Sequence, residues 1–251
     1  MQFVDSHCHL DFEEFDADRE EVIANAVNQG ISRFVIPGIK REFWARQLKL
    51  KADYDNCYLA FGIHPWFLQD FEWGDIDPLK ELLVKHEPVA VGECGVDGAI
   101  DDIELQMRVF SAQVEVANEF SLPLIVHHRR SHHHILSTFK KVKPENGGII
   151  HAFSGSQHDA DKYIALGFKL GCGGTITYPR AEKTRKVFKQ LDLEHIVLET
   201  DCPTMPLYGY QGQRNEPSRV LPVAQELAEL KQVCLKEIAT VTSQNINELF
   251  F

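Results

Sequence analysis

The sequence predicts an α/β protein, a (β/α)8 TIM barrel in which residues 1–251 form a single domain. Three observations predict it. A short apolar run, a turn and an amphipathic helical stretch alternate along the chain, about eight times in 251 residues, which is the size of such a barrel. Several runs, such as Pro123-Leu124-Ile125-Val126 and Ile196-Val197-Leu198, are continuously apolar, as strands covered on both faces should be. The rival, a doubly wound open sheet, lacks the glycine-rich G-x-G-x-x-G turn after its first strand that would mark a dinucleotide site.

The elements follow in order. The first strand is expected over 3–8 and the first helix over 18–29, with Val22, Ile23, Ala26 and Val27 on its apolar face and Gly30 as its C-cap. Strands are expected over 33–37, 58–63 and 89–93. The next helix, over 101–121, is the clearest: Ile103, Met107, Phe110, Val114 and Ala117 step by 4, 3, 4 and 3. A strand over 122–127 leads to Ser131, a good N-cap, and a helix that begins in His132-His133-His134, read as rim or surface. Strands over 148–151, 168–171 and 195–200 complete the barrel, and helices over 220–230 and 236–250 follow.

Composition narrows the function. Hydrophobic residues at 44% and charged residues at 25% are ordinary globular usage, which excludes disorder. Lys+Arg is 26 against Asp+Glu 37, so a net charge of −11 argues against a broad electrostatic grip on duplex nucleic acid. A phosphate ester would have to be held by bound cations and a few local arginines. No apolar run approaches the roughly 18 residues of a membrane span. The opening MQFVDSHCHLDFEEFD has no basic region of a signal peptide. The six cysteines contain no C-x-x-C pair, so a disulfide framework is not expected and reduced thiols fit the cytoplasm.

Metal-ligand residue types collect at one end of the predicted strands, where such barrels build their sites. His7 and His9 close strand one, Glu93 strand four, His127 strand five and His151 strand six, and Asp201 follows strand eight. An H-x-H on a strand puts both rings on one face. Each residue alone has an ordinary reading as a cap, a turn or a core histidine. Their shared position points to a metal site. His128 is the adjacent alternative to His127, and alternation alone does not choose between them.

These residues also carry a resemblance. The stretch Phe3-Val4-Asp5-Ser6-His7-Cys8-His9-Leu10-Asp11 resembles the opening signature of the TatD family of metal-dependent deoxyribonucleases and hydrolases. Gly92-Glu93-Cys94-Gly95-Val96-Asp97 is similar to its G-E-x-G-L-D motif. Leu122 to His127 with Arg129, His151-Ala152-Phe153-Ser154-Gly155, Leu198-Glu199-Thr200-Asp201-Cys202-Pro203 and Asn215-Glu216-Pro217 resemble its later motifs, in order and across the whole chain. The His-x-Arg-Arg-x-His stretch and Gly173 to Arg180 are most similar to the YjjV-type branch. Cys202 stands where the family usually has alanine, and Arg130 where many members have aspartate.

The resemblance implies a TIM-barrel hydrolase with two or three divalent ions. It implies that His7, His9 and Asp201 hold one ion, that Glu93 bridges, and that His127, selected over His128, and His151 hold the second. It also implies a substrate or catalytic contact for His64. Two such ions acidify a bound water and stabilise both oxygens of an in-line displacement. Imidazole-rich ligation favours zinc or manganese, whereas the family's nucleases are regarded as magnesium enzymes. Arg129, two along from His127, is a candidate phosphate clamp, and Glu199 shares a face with Asp201 and could orient a ligand histidine. Gly173-Gly174-Thr175 reads equally as a phosphate-binding turn or a flexible one. Cys8 and Cys94 turn away from the ligands as packing residues.

The leading expectation is therefore a cytoplasmic phosphodiesterase or deoxyribonuclease acting on DNA ends, single strands or a small phosphoester, with Asp201, Glu93 and His64 in its chemistry and no obligate protein partner. The alternatives are a cyclic amidase or deaminase of the amidohydrolase type and a non-catalytic metal-binding barrel. Residues 89–96 contain no lysine that could be carboxylated to bridge metals, which weighs against the first alternative.

Overall fold

Eight parallel strands pair in chain order, each with the next, in a computed structural model that describes Met1 to Phe251. They are β1 (Phe3–Asp5), β2 (Ile31–Pro37), β3 (Cys57–Phe61), β4 (Ala90–Asp97), β5 (Leu124–Arg129), β6 (Gly148–Ile150), β7 (Phe168–Cys172) and β8 (Ile196–Leu198). Helices α1 (Arg19–Asn28), α2 (Arg41–Asp53), α3 (Ile76–His86), α4 (Ile103–Glu119), α5 (His132–Lys141), α6 (Gln157–Ile164) and α7 (Glu182–Gln190) each follow one strand. After β8 come α8 (Val220–Lys231) and α9 (Leu235–Phe250). This is the TIM barrel that the alternation predicts. No helix is long and apolar enough to cross a membrane.

Between β8 and β1 there is no strand ladder, and individual bonds close the seam. Ser6 N–H donates to the Leu198 carbonyl and Asp201 N–H to the His7 carbonyl, both at 2.9 Å. The buried Asp5 carboxyl accepts the Thr200 N–H at 3.0 Å and shares a hydrogen bond with the Thr200 hydroxyl at 2.6 Å. Inside the barrel Val4, Val35, Ala60, Ala90, Ile125, Ile149 and Val197 form one apolar layer, and Ile246 of α9 packs on it from below. Outward-facing residues of the same strands, Phe34, Phe61, Val126 and Phe168 among them, pack in a second and larger core with the helices.

Three expectations shift. β1, β6 and β8 stop at Asp5, Ile150 and Leu198, so His7, His9, His151 and Asp201 lie just beyond the ladder, where the chain can turn side chains toward the axis. β4 runs on past Glu93, pairing as far as Asp97 with Arg129. It can because Gly95 takes a φ of +145°, and a Cβ there would collide with the His127 carbonyl oxygen. Ser131 stands at the N-cap of α5 but does not cap it. Its hydroxyl donates to the Val96 carbonyl at 2.5 Å and accepts from Arg129 N–H at 3.2 Å, tying β4 to the end of β5.

Candidate metal centre

Strand alternation carries the barrel's inward register up to the polar residues. Ile125 and Ile149 belong to the interior layer, and His127 and His151 stand two residues further along each chain. The same step takes Val197 to Glu199 and Asp201, and Ala60 through Gly62 to His64. β4 is out of step: Glu93 lies three residues past inward-facing Ala90, and a register shift between Val91 and Cys94 absorbs the odd residue. His128 turns the other way, its ring 4.3 Å from that of His132 and 6.0 Å from Phe153. The first histidine of the run thus belongs to this outer cluster, where His132 Nδ1 lies 3.1 Å from the Tyr163 hydroxyl.

The six candidate ligands converge. His7 Nε2 and His9 Nε2 are 3.3 Å apart, and they lie 3.2 and 3.7 Å from Glu93 Oε2. The same nitrogens are 3.6 and 3.5 Å from Asp201 Oδ1. Glu93 turns its other oxygen, Oε1, to His127 Nδ1 at 3.1 Å and His64 Nε2 at 3.5 Å. His151 stacks on His7 with ring centroids 3.6 Å apart, and its Nε2 lies 3.7 Å from Asp201 Oδ2. By donor atoms His151 groups with His7 and Glu93, whereas His127 groups with Glu93 and His64.

This donor set fits divalent cations. Imidazole nitrogens and carboxylate oxygens, four of the six residues buried and His127 and Asp201 half-buried beside the cleft, converge within coordinating range, and neutral histidines with ionised carboxylates are the ligand forms such ions require. The carboxylates are in that form. Burial works to raise Glu93, but His7, together with hydrogen bonds from His127 and His64, outweighs it and holds its carboxyl well below the usual range. Burial likewise opposes ionised Asp201, and His151 and His9 overcome it.

His64 differs from the other rings. Its Nδ1 accepts the Trp66 backbone N–H at 3.1 Å, so its proton sits on Nε2. Burial, and then the neighbouring His127, push it down to about 4, so it is neutral at pH 7. A neutral ring with Nε2–H is a hydrogen-bond donor facing the centre, suited to a substrate oxygen.

The centre opens into a cleft of about 620 Å³. Phe12, Trp66, Phe67 and Met205 form its apolar wall, and Arg129 and Arg130 its basic side. Arg129 is exposed, faces this cleft and makes no ion pair, as a residue two beyond His127 on a continuing strand should. Glu199 Oε1 lies 3.1 Å from His151 Nδ1. Gly174–Thr177 is a 3-10 turn with Thr175 on the cleft. Cys8 and Cys94 are fully buried beside the Val35 and Ile125 carbonyls. Sequence reasoning assigned nothing to Asp5, Asp97 or Trp66, although two of the three lie inside the quoted motifs.

The model of the TatD-related DNase family matches residues 4–251. The chain belongs to that family. It is 39% identical over 99% of its length, and 98% of the relative's, to YjjV of Escherichia coli strain K12, an uncharacterized metal-dependent hydrolase. It is 36% identical over 98% of both chains to YabD of Bacillus subtilis strain 168, likewise an uncharacterized metal-dependent hydrolase. The crystal structure of the Escherichia coli YjjV superposes with a TM-score of 0.95, covering 99% of this chain and 97% of that one. The chain thus stands among the metal-dependent hydrolases of the TatD family.

Proposed function

We propose that this chain is a phosphodiesterase, a deoxyribonuclease acting in the cytoplasm on DNA ends or single strands, with a two-ion centre. His7, His9 and Asp201 hold the first ion, Glu93 bridges, and His127 and His151 hold the second. Zinc or manganese suits so many imidazoles, with magnesium as the alternative the family suggests. The observation that carries the reading is the divided Glu93 carboxylate, with Oε2 3.2 Å from His7 Nε2 and Oε1 3.1 Å from His127 Nδ1.

When bound, the ions lower the pKa of a water and stabilise the attacking and leaving oxygens. The chain's own residues do the rest. Asp201, at the edge of the cleft, accepts the water's proton at its carboxylate. His64 donates Nε2–H to a substrate oxygen. Arg129 clamps a phosphate oxygen by a charge-assisted bond. Phe12, Phe67 and Trp66 exclude water from one side of the cleft and leave an apolar face for the substrate's organic part.

The test is metal-loaded protein offered a generic phosphodiester, a single-stranded oligonucleotide and a cyclic amide. Turnover of the first two supports the proposal. Hydrolysis of the cyclic amide alone would assign the centre to C–N chemistry instead.

A further inference from the structure

A line of contacts runs from the mouth of the cleft to the candidate ligands, and at its middle stands Asp97, to which the function proposed above gives no role. His127 Nδ1 lies 3.1 Å from Glu93 Oε1, and the ring's other nitrogen, Nε2, lies 3.1 Å from Asp97 Oδ2. The same Asp97 oxygen accepts the Trp66 indole N–H at 2.6 Å, and Oδ1 accepts Ala99 N–H at 2.8 Å. Asp97 is fully buried, and its backbone is clasped by Gln106 of α4, whose Oε1 accepts Asp97 N–H at 2.8 Å.

A neutral imidazole carries one ring proton, and an ionised carboxylate only accepts. Asp97 takes that proton at His127 Nε2, which leaves the Nδ1 lone pair aimed at the centre. His7 and His9 have the opposite arrangement, with Nε2 of both rings at the centre. We infer that Asp97 is a positioning residue that fixes His127 as an Nδ1 ligand, and that Trp66 holds Asp97 in place. Trp66 is 52% exposed on the cleft wall, so the support of a buried ligand reaches out to the surface that substrate meets. The inference rests on reading His127 as a ligand.

Metal-free protein is titrated with Co²⁺, following stoichiometry and the visible absorption of the bound ion, with near-UV circular dichroism recorded on each variant. His127→Ala identifies the binding step that depends on this ring. Asp97→Asn keeps the shape but loses the charge, and its NH2 must face either the indole N–H or Ala99 N–H. That step should weaken about 10–100-fold in Asp97→Asn, as when a ligand histidine loses its carboxylate partner. It should weaken a few-fold in Trp66→Phe, which keeps a ring but has no N–H to give. The cobalt spectrum should change and the remaining binding should not.

Unchanged affinity in Asp97→Asn, a His127→Ala variant that loses no metal, or uniform weakening of all binding would overturn the inference. Should Asp97→Asn fail to fold, Trp66→Phe decides alone: wild-type titration overturns it and a selective few-fold loss supports it. If the wild-type chain takes up a single ion, the two-ion reading falls. Asp97→Asn should still weaken whichever ion His127→Ala removes.

Discussion

Glu199 Oε1 lies 3.1 Å from His151 Nδ1, and it also accepts the Ala152 N–H at 2.6 Å. One oxygen thus bonds the backbone beside the ring and lies against its Nδ1, while Nε2 faces Asp201. Glu199 in turn lies over Gly171 of β7, where a Cβ would collide with Oε2 and come within 2.7 Å of the carboxyl carbon. Gly171→Ala should therefore displace Glu199, at a cost of about 1–3 kcal/mol in overpacking. Both Gly171→Ala and Glu199→Gln should weaken metal binding about tenfold or more. Thermal melts beside metal titrations check this, and wild-type binding in both variants would remove Glu199 from the support of His151.

Asp5 gives a pH dependence. Burial, opposed by bonds from Thr200 and His7 N–H, raises its carboxyl from the ordinary 3.8 to about 8. A raised value means that the folded chain favours the protonated form. That contribution is complete below about pH 3.8 and is lost as pH rises through about 8. Metal-free protein should therefore melt at progressively lower temperature between these limits, with each 1 kcal/mol worth about 2–4 °C. Asp5→Asn can donate to Thr200 Oγ1 and accept both N–H groups, so it should flatten this slope. A slope that persists in the variant would place its origin elsewhere.

Arg129→Ala should lower phosphodiester turnover about 10–100-fold, since a charge-assisted contact is worth about 1.5–3 kcal/mol. Metal content and melting temperature should stay at wild-type values, because the side chain is exposed and makes no ion pair. Kinetics unchanged by the substitution would leave it an ordinary surface arginine.

Much of this candidate site was legible because the candidate ligands ride on a repeating unit. Alternating apolar runs and helical stretches predicted the barrel, and polar residues at the run ends marked its open face. Periodicity alone could not say that Ile125 and His127 face inward while His128 packs against His132, because alternation has no absolute direction. It also extended strand one too far: the chain leaves the ladder at Asp5, and single bonds, Ser6 N–H to the Leu198 carbonyl and Thr200 to Asp5 among them, close the seam to β8. Asp97 and Trp66 are 31 residues apart in sequence and meet only when the loop after β3 folds over the end of β4. No local pattern encodes that contact.

The sharpest test of the centre compares two isosteric changes. Glu93 faces His7 and His9 with Oε2 and His127 with Oε1, whereas Asp201 directs Oδ1 to His7 and His9 and lies 3.7 Å from His151 through Oδ2. An amide at position 93 matches the carboxylate's shape but keeps one good acceptor oxygen and no charge, so it bridges two cations poorly. Glu93→Gln should thus lose metal as well as activity and be the most damaging isosteric change in the site. On the proposed assignment, Asp201→Asn removes a ligand of the first ion and the acceptor for the water's proton. It should lose activity while most of the second ion stays. Metal content and hydrolysis rates measured together on both variants decide between the roles, and full occupancy in Glu93→Gln would rule out the bridge.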